Sequence, residues 1–346
     1  MPARSQLSFA TCNLLNLNLP GRAIYSDKDG WTPQLYKKKV AWTAQKLGEV
    51  QADVWGFQEV WHPEALQEAF ALFDGQGTYE LLMPKDHQGN SIVCAAAVRK
   101  DFLVGEYQWI TNFPEKFQLA SQGDDAQTPE ISVGIHSFSR PVLRFHIRPR
   151  EHGEIISVYV AHLKSKGPTK VYLEEWYKQD QEYFSRHSLA LGAALSTIRR
   201  TSEAAALRII LTEEMKKTTT PVVVLGDFND GQHSNTLNIL TEQPNYLLNG
   251  LDKGGADNGL YTTGTLQEYR SLQDVYYTHV FKNTQESLDH ILVSQEFYDH
   301  SRGRIWAFKG MEVWNDHLNQ NNHKETGTSD HGIVKAMFEY RPFKNS

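Results

Sequence analysis

Cysteine is scarce in this chain of 346 residues: Cys12 and Cys94 are the only two, each in apolar, strand-like surroundings. They are expected to be buried free thiols rather than a disulfide. No run approaches the roughly 18 uninterrupted apolar residues that a membrane span needs, so no membrane span is expected. Positive charge is not in excess. The net charge of −6 argues against holding nucleic acid by bulk electrostatics. It weakens that reading without removing it, because a metal enzyme needs clustered carboxylates and bound cations change the local field. Internal repeats, low-complexity segments and dividing linkers are absent too, so one domain over residues 6–341 is the simpler reading. The first six residues, Met1 to Gln6, hold no leader-like apolar region. As given, the chain is expected to be cytoplasmic, or secreted if a leader has been removed. Hydrophobic residues at 40% and charged residues at 22% belong to a globular protein with a sizeable core.

The most informative stretch is 221–231, Pro-Val-Val-Val-Leu-Gly-Asp-Phe-Asn-Asp-Gly. Four apolar residues, three of them β-branched, predict a strand buried on both faces. Polar side chains follow at once, and Asp227 and Asn229 would share one face of an extended chain. Strand ends that emerge as carboxylates are where open α/β sheets place their chemistry; a simple Asx turn is the bland alternative.

Other strand ends repeat the pattern. A strand over 7–13 ends at Asn13, and one over 52–60 delivers Glu59. Strands over 142–147 and 154–161 read as a hairpin whose second arm ends in His162-Leu163-Lys164-Ser165-Lys166-Gly167. A histidine followed by two lysines suits phosphate chemistry. A strand over 287–294 starts with Asp289-His290, and Ser329-Asp330-His331 opens a last strand. Helical spacing predicts helices over 36–50, 63–73 and the block 171–217. Lys37, Lys38 and Lys39 read as a solvated face, and Arg199, Arg200 and Arg208 as facing water before substrate. Residues 111–141 read as a long polar loop holding Gly123-Asp124-Asp125, and 244–286 as loop-rich, with glycines at Gly254, Gly255, Gly259 and Gly264.

Each signal is weak alone, but their order is specific. The strand ending at Asn13, Phe57-Gln58-Glu59, His162-Leu163-Lys164, Gly226-Asp227-Phe228-Asn229, Leu288-Asp289-His290-Ile291-Leu292 and Ser329-Asp330-His331 together resemble the endonuclease/exonuclease/phosphatase superfamily. The resemblance spans nearly the whole chain. It implies an α/β (α+β) fold, a four-layer α/β/β/α sandwich of two packed mixed β-sheets flanked by helices, with the active site at one rim. A tyrosine typical of abasic-site endonucleases is replaced here by His162, and the Trp-Cys-Asp-Arg stretch of inositol phosphatases by Ser287-Leu288-Asp289-His290. Residues 162–167, with Arg200-Thr201-Ser202-Glu203-Ala204 and Leu207, look instead like a group of bacterial nucleases of this fold. The block 171–217 is then a substrate-side elaboration.

Under that resemblance the expected chemistry is metal-assisted phosphodiester hydrolysis. Mg²⁺, with Mn²⁺ or Ca²⁺ able to substitute or assist, would sit on Glu59, with Asn13 and Asp330 close by. Asp227 would position and deprotonate the attacking water, and Asn229 would hydrogen-bond the water or the phosphorus centre. His162 and His331 would contact the non-bridging oxygens, one of them protonating the leaving oxygen. Asp330 is expected to orient His331, and Asp289 to orient His162. Metal-bound water remains an alternative nucleophile. Lys164, Lys166 and Arg200 are the expected substrate-phosphate contacts. The leading expectation is a monomeric nuclease cleaving DNA, with RNA as a further substrate, and little sequence preference. The alternative is a phosphodiesterase or phosphatase acting on a small-molecule or lipid-headgroup ester. A non-catalytic scaffold would be expected to lack a site residue, and none is missing.

Overall fold

The computed structural model describes residues 5–25, 29–73, 77–123, 129–244, 257–271 and 276–343. Asp124, Asp125, Gly254 and Gly255, singled out above, lie outside the described residues. The first half of the chain runs β1 (Gln6–Leu17), α1 (Pro33–Val50), β2 (Val54–Val60), α2 (Pro63–Phe73), β3 (Tyr79–Leu82), β4 (Val93–Arg99) and β5 (Leu103–Asn112). A short ladder of β6 (Ala120–Ser121) with β7 (Ile131–Ser132) follows, then β8 (Ser137–Ile147) and β9 (Ile156–His162). After α3 (Glu175–Gln179), α4 (Gln181–Ser185) and α5 (Ser188–Met215) come β10 (Val222–Asp227), α6 (Asn235–Thr241), β11 (Tyr261–Thr262) and α7 (Thr263–Glu268). The chain closes with β12 (His279–Phe281), β13 (Thr284–Glu286), β14 (Asp289–Val293), β15 (Trp306–Trp314), α8 (His323–Thr326) and β16 (Ile333–Tyr340).

Two mixed six-stranded sheets result, ordered β15-β16-β1-β2-β4-β3 and β11-β14-β10-β9-β8-β5. Strand alternation assigns the layers. Phe9, Val54, Val223 and Leu225 pack between the sheets, whereas Ala10, Cys12, Trp55 and Phe57 turn outward under α1 and α2. On the other side Val222, Val224 and Tyr159 meet Ala204, Leu207 and Leu211 of α5. This is the four-layer sandwich, and it explains the unbroken apolar run before Asp227: both faces of β10 are covered. Both cysteines are buried and free. No described helix is long and apolar enough to cross a membrane.

Three expectations change. The stretch 111–141 is not all loop: β5 runs to Asn112, β6 and β7 pair, and β8 begins at Ser137. Lys39 is fully buried, not solvated. Its Nζ donates to Thr328 O at 2.9 Å, between the rings of Trp31 and Trp42. Arg200 and Arg208 are buried as well, Arg208 donating to Leu240 O at 2.9 Å. The lysines and arginines of a helix do not report their own burial, because a long stem can carry its charge to a backbone carbonyl.

Candidate active site

Parallel pairs fix where the polar ends meet. β1 pairs in parallel with β2, and β9 with β10, so Asn13, Glu59, His162 and Asp227 all emerge at one rim. The antiparallel neighbours β14 and β16 start there, which brings in Asp289 and the Ser329–His331 turn. Gly226 is required locally: a Cβ there would lie 2.0 Å from Ala161 O of the adjoining strand.

At the centre is the buried Asp227. Its Oδ2 accepts from Asn13 Nδ2 at 3.0 Å and lies 3.5 Å from His162 Nε2 and 3.8 Å from His331 Nε2. Its Oδ1 accepts from Asn229 N at 2.8 Å. That last bond closes an Asx turn, with Asn229 at φ 54°, so the turn and the site are the same structure rather than alternatives. Asn229 Nδ2 is spent on Leu163 O at 3.0 Å, fastening the β9 end to the β10 end. Burial raises the Asp227 carboxyl above the usual carboxylate range, opposed by His331.

The pairing of acids and imidazoles differs from expectation. Asp289 serves His331, not His162: Asp289 Oδ2 lies 2.8 Å from His331 Nδ1. The reason is register. Asp289 sits directly opposite Asp227 in the β10–β14 ladder, and the His331 ring reaches both carboxylates. Burial alone would depress His331, but Asp289 and Asp227 outweigh it and hold the ring well above the ordinary imidazole value. Among the described residues the carboxylate paired with His162 is Asp227, at the longer distance of 3.5 Å. Burial, with Arg140, His331 and Lys164 nearby, holds His162 well below the ordinary value and favours the neutral imidazole. The two histidines are thus pushed in opposite directions.

On the other side of Asn13 lies Glu59, at φ 61°. Its oxygens accept from Asn13 Nδ2 at 3.3 Å and Asn16 N at 2.9 Å. Burial raises its carboxyl, and the charge of Asp330 raises it further. Asn13 Oδ1 is already taken by Leu15 N at 3.0 Å, so Asn13 bridges Glu59 and Asp227 through its amide nitrogen. Ser329 Oγ donates to Asn13 O at 2.7 Å and ties the Asp330 turn to β1.

Of the expected phosphate contacts, Lys164 and Lys166 stay beside the rim and Arg200 does not face it. Lys164 Nζ reaches Ser165 Oγ at 3.2 Å and Gly167 O at 3.3 Å, and burial lowers its pKa. Lys166 is exposed and paired with Glu286 at 2.6 Å. Arg200 is turned inward, with Nε 3.3 Å from Asp230 Oδ2 and NH1 donating to Lys164 O at 3.3 Å. It braces the loop from behind. Beside it the buried Glu203 accepts from Lys164 N and Ser139 N, each at 2.8 Å.

Two residues of the rim went unread in the sequence. Arg140, inside the stretch taken as loop, donates to Leu163 O at 3.2 Å and its charge acts on His162, Glu59 and Lys164. Only the alternation of β8 could have placed it. His279 bridges to His331 in the backbone, with ring centroids 5.0 Å apart; nothing in its local sequence marks it.

A cluster of Asp227, Asp289 and His331 meets the spacing of a cation site. There, however, the imidazole already lies between the two carboxylates and supplies the compensating charge. Glu59 and Asp330 fit a hard cation better, as two carboxylates whose charges oppose each other.

The chain matches no curated protein sequence. Among solved structures it is similar to the human Nocturnin catalytic domain with bound sulfate anion, at a TM-score of 0.55 and 14% identity over 97% of this chain and 95% of that one. It is also similar to D. rerio TDP2 complexed with single strand DNA product, at 0.54 and 14% over 97% and 99%. A mannosyl-6-phosphatase from Bacteroides thetaiotaomicron gives 0.51 and 15% over 96% and 99%. At such identities the likeness is one of fold. The sequence model of the Endonuclease/Exonuclease/phosphatase family matches residues 16–331, which takes in Glu59 through His331. The chain therefore belongs to the endonuclease/exonuclease/phosphatase family and is a hydrolase of phosphate esters.

Proposed function

We propose that the chain is a Mg²⁺-dependent phosphodiesterase whose substrate is nucleic acid, DNA first and RNA as a further substrate, cut with little sequence preference. The observation that carries this is the row Asp289–His331–Asp227–His162 at the rim, with Glu59 and Asp330 beside it. Glu59 and Asp330 would hold the cation, with Asn13 keeping Glu59 in place. When bound, a divalent cation neutralises charge on the phosphate oxygens. Asp227 accepts the proton of the attacking water, a task that its raised basicity suits. His331, kept charged by Asp289, stabilises a non-bridging oxygen and can give its proton to the leaving oxygen. His162 donates a hydrogen bond as a neutral ring. Arg140 and Lys164 add positive charge at the same mouth. TDP2, of the same fold, is described with a single-stranded DNA product.

A second reading, a small-molecule or lipid-headgroup ester, is favoured by the net charge of −6 and by the exposed apolar side chains of α3 to α5, Trp176, Tyr183, Leu189 and Leu195 among them. Plasmid DNA, bis-p-nitrophenyl phosphate and mannose 6-phosphate, each with Mg²⁺ and with or without chelator, decide between the two. Nicking that chelator abolishes is the expected result. Turnover of the small esters without nicking would select the second reading, and no turnover of any would overturn both.

A further inference from the structure

Beside the catalytic rim lies a cleft of about 930 Å³, within the range of about 300–1,000 Å³ usual for ligand sites. Its two walls continue the strands that carry the chemistry. Trp61 follows Glu59 by two residues on one side, and Lys164 follows His162 by two on the other. The cleft therefore adjoins the rim on which Asp227 lies.

The composition of the cleft is selective. Although the chain carries 41 acidic residues, none of the described residues that line it is acidic, and two are lysines, Lys164 and Lys170. Tyr25 stands at the opening with 42% of its surface exposed, its ring edge-on to Trp61 at 5.1 Å between centroids. Its hydroxyl is hydrogen-bonded to Arg140, which in turn donates to Leu163 O, so the ring is held at the phosphate side of the cleft. The opposite wall is fastened to α5. Ser196 Oγ donates to Gly167 O at 2.8 Å, and Thr169 N to Gly192 O at 3.0 Å. A Cβ on Gly192 would meet Thr169 O at 2.4 Å, so loop and helix are in direct backbone contact. This is a built wall rather than a loose loop.

An anion with a flat ring matches such a lining. A choline-type headgroup, which aromatic faces alone can hold, would here meet the like charge of Lys164 and Lys170. A bare sugar phosphate would leave the aromatic edge unused. We propose that the Tyr25–Trp61 and Lys164–Lys170 cleft binds the nucleotide unit next to the scissile phosphate, its base stacked on Tyr25 and its flanking phosphate on the lysines. The proposal rests on the phosphodiesterase reading above for its biological use, but not for its test.

Calorimetry on the full chain with Mg²⁺ present tests it, with thymidine 5′-monophosphate, inorganic phosphate, mannose 6-phosphate and glycerophosphocholine as probes. The nucleotide is expected to bind at least about tenfold more tightly than the others, the range that one base–aromatic stack supplies. Tyr25→Ala should remove that advantage, and Tyr25→Phe, which keeps the ring but not the Arg140 bond, should keep most of it. A four-residue thymidine oligonucleotide binding more tightly than the monophosphate would identify a strand as the source. Equal affinity would identify a free nucleotide, and either supports the site. No preference for the nucleotide in the wild type, or a full preference in Tyr25→Ala, overturns it. Nucleotide binding without any phosphodiester turnover would sink the function and leave the site; turnover without nucleotide preference would do the reverse.

Discussion

Replacing Lys39 with methionine separates what holds the fold from what aligns the site. Burial lowers the Lys39 pKa from 10.5 to about 8. Holding the ammonium in place therefore costs about 3 kcal/mol at neutral pH. Against this stand the charge-assisted bond to Thr328 O, worth about 1.5–3 kcal/mol, and the two indole faces, worth about 0.5–2 kcal/mol each. Methionine keeps the apolar stem and loses both the cost and the bonds, so at pH 7 stability should stay within about 2 kcal/mol of wild type. Activity should not survive as well. Lys39 anchors Thr328, two residues before Asp330, and Gly327 packs so tightly on α1 that a Cβ there would lie 2.6 Å from Lys39 N. Releasing that turn displaces Asp330 and His331, and a shift of about 1 Å costs on the order of 100-fold in rate. The pH dependence gives an independent check. The folded pKa lies below the unfolded one, so below about pH 8 both states are charged and the cost is constant. Above it the native lysine loses its proton first, so wild-type stability should rise between about pH 8 and 10.5, by up to about 3 kcal/mol relative to Lys39→Met. Urea unfolding from pH 7 to 10, paired with diester turnover, measures both. Full activity in Lys39→Met, or a loss of more than about 4 kcal/mol at pH 7, would refute the reasoning.

Asp289→Asn should lower turnover by roughly 10²–10⁴-fold. It should also move the alkaline limb of the pH–rate profile to lower pH, because His331 loses the charge that raises its pKa; an unmoved limb would show that His331 is not the titrating acid. Gly226→Ala drives a methyl against Ala161 O and should destabilise the fold by about 2–4 kcal/mol in urea melts. A neutral result there would mean that β9 and β10 part easily.

Much of this architecture could be read in the chain itself. Val222 to Leu225 announced a doubly covered strand because both faces of β10 are in fact covered, and the polar strand ends met at one rim because β1–β2 and β9–β10 run parallel. What stayed hidden depends on register and on long side chains. Which aspartate orients which histidine is set by Asp289 lying opposite Asp227, a pairing with no local signature. Lys39 and Arg200 sit in helices among other charged residues, and the distant groups they reach, the Thr328 carbonyl for one and the Asp230 carboxylate and Lys164 carbonyl for the other, explain their burial. Arg140 stood in a segment rich in turn residues whose last part is an ordinary strand.

The most direct test is the rate of bis-p-nitrophenyl phosphate hydrolysis by Asp227→Asn beside wild type in Mg²⁺. Asparagine keeps one oxygen, for Asn229 N, turns its amide NH2 toward Asn13 Nδ2, and cannot take a proton, so the account expects a loss of at least about 10³-fold in a variant that still unfolds cooperatively. Activity within about tenfold of wild type would contradict the claim that Asp227 is the base at the centre of this site.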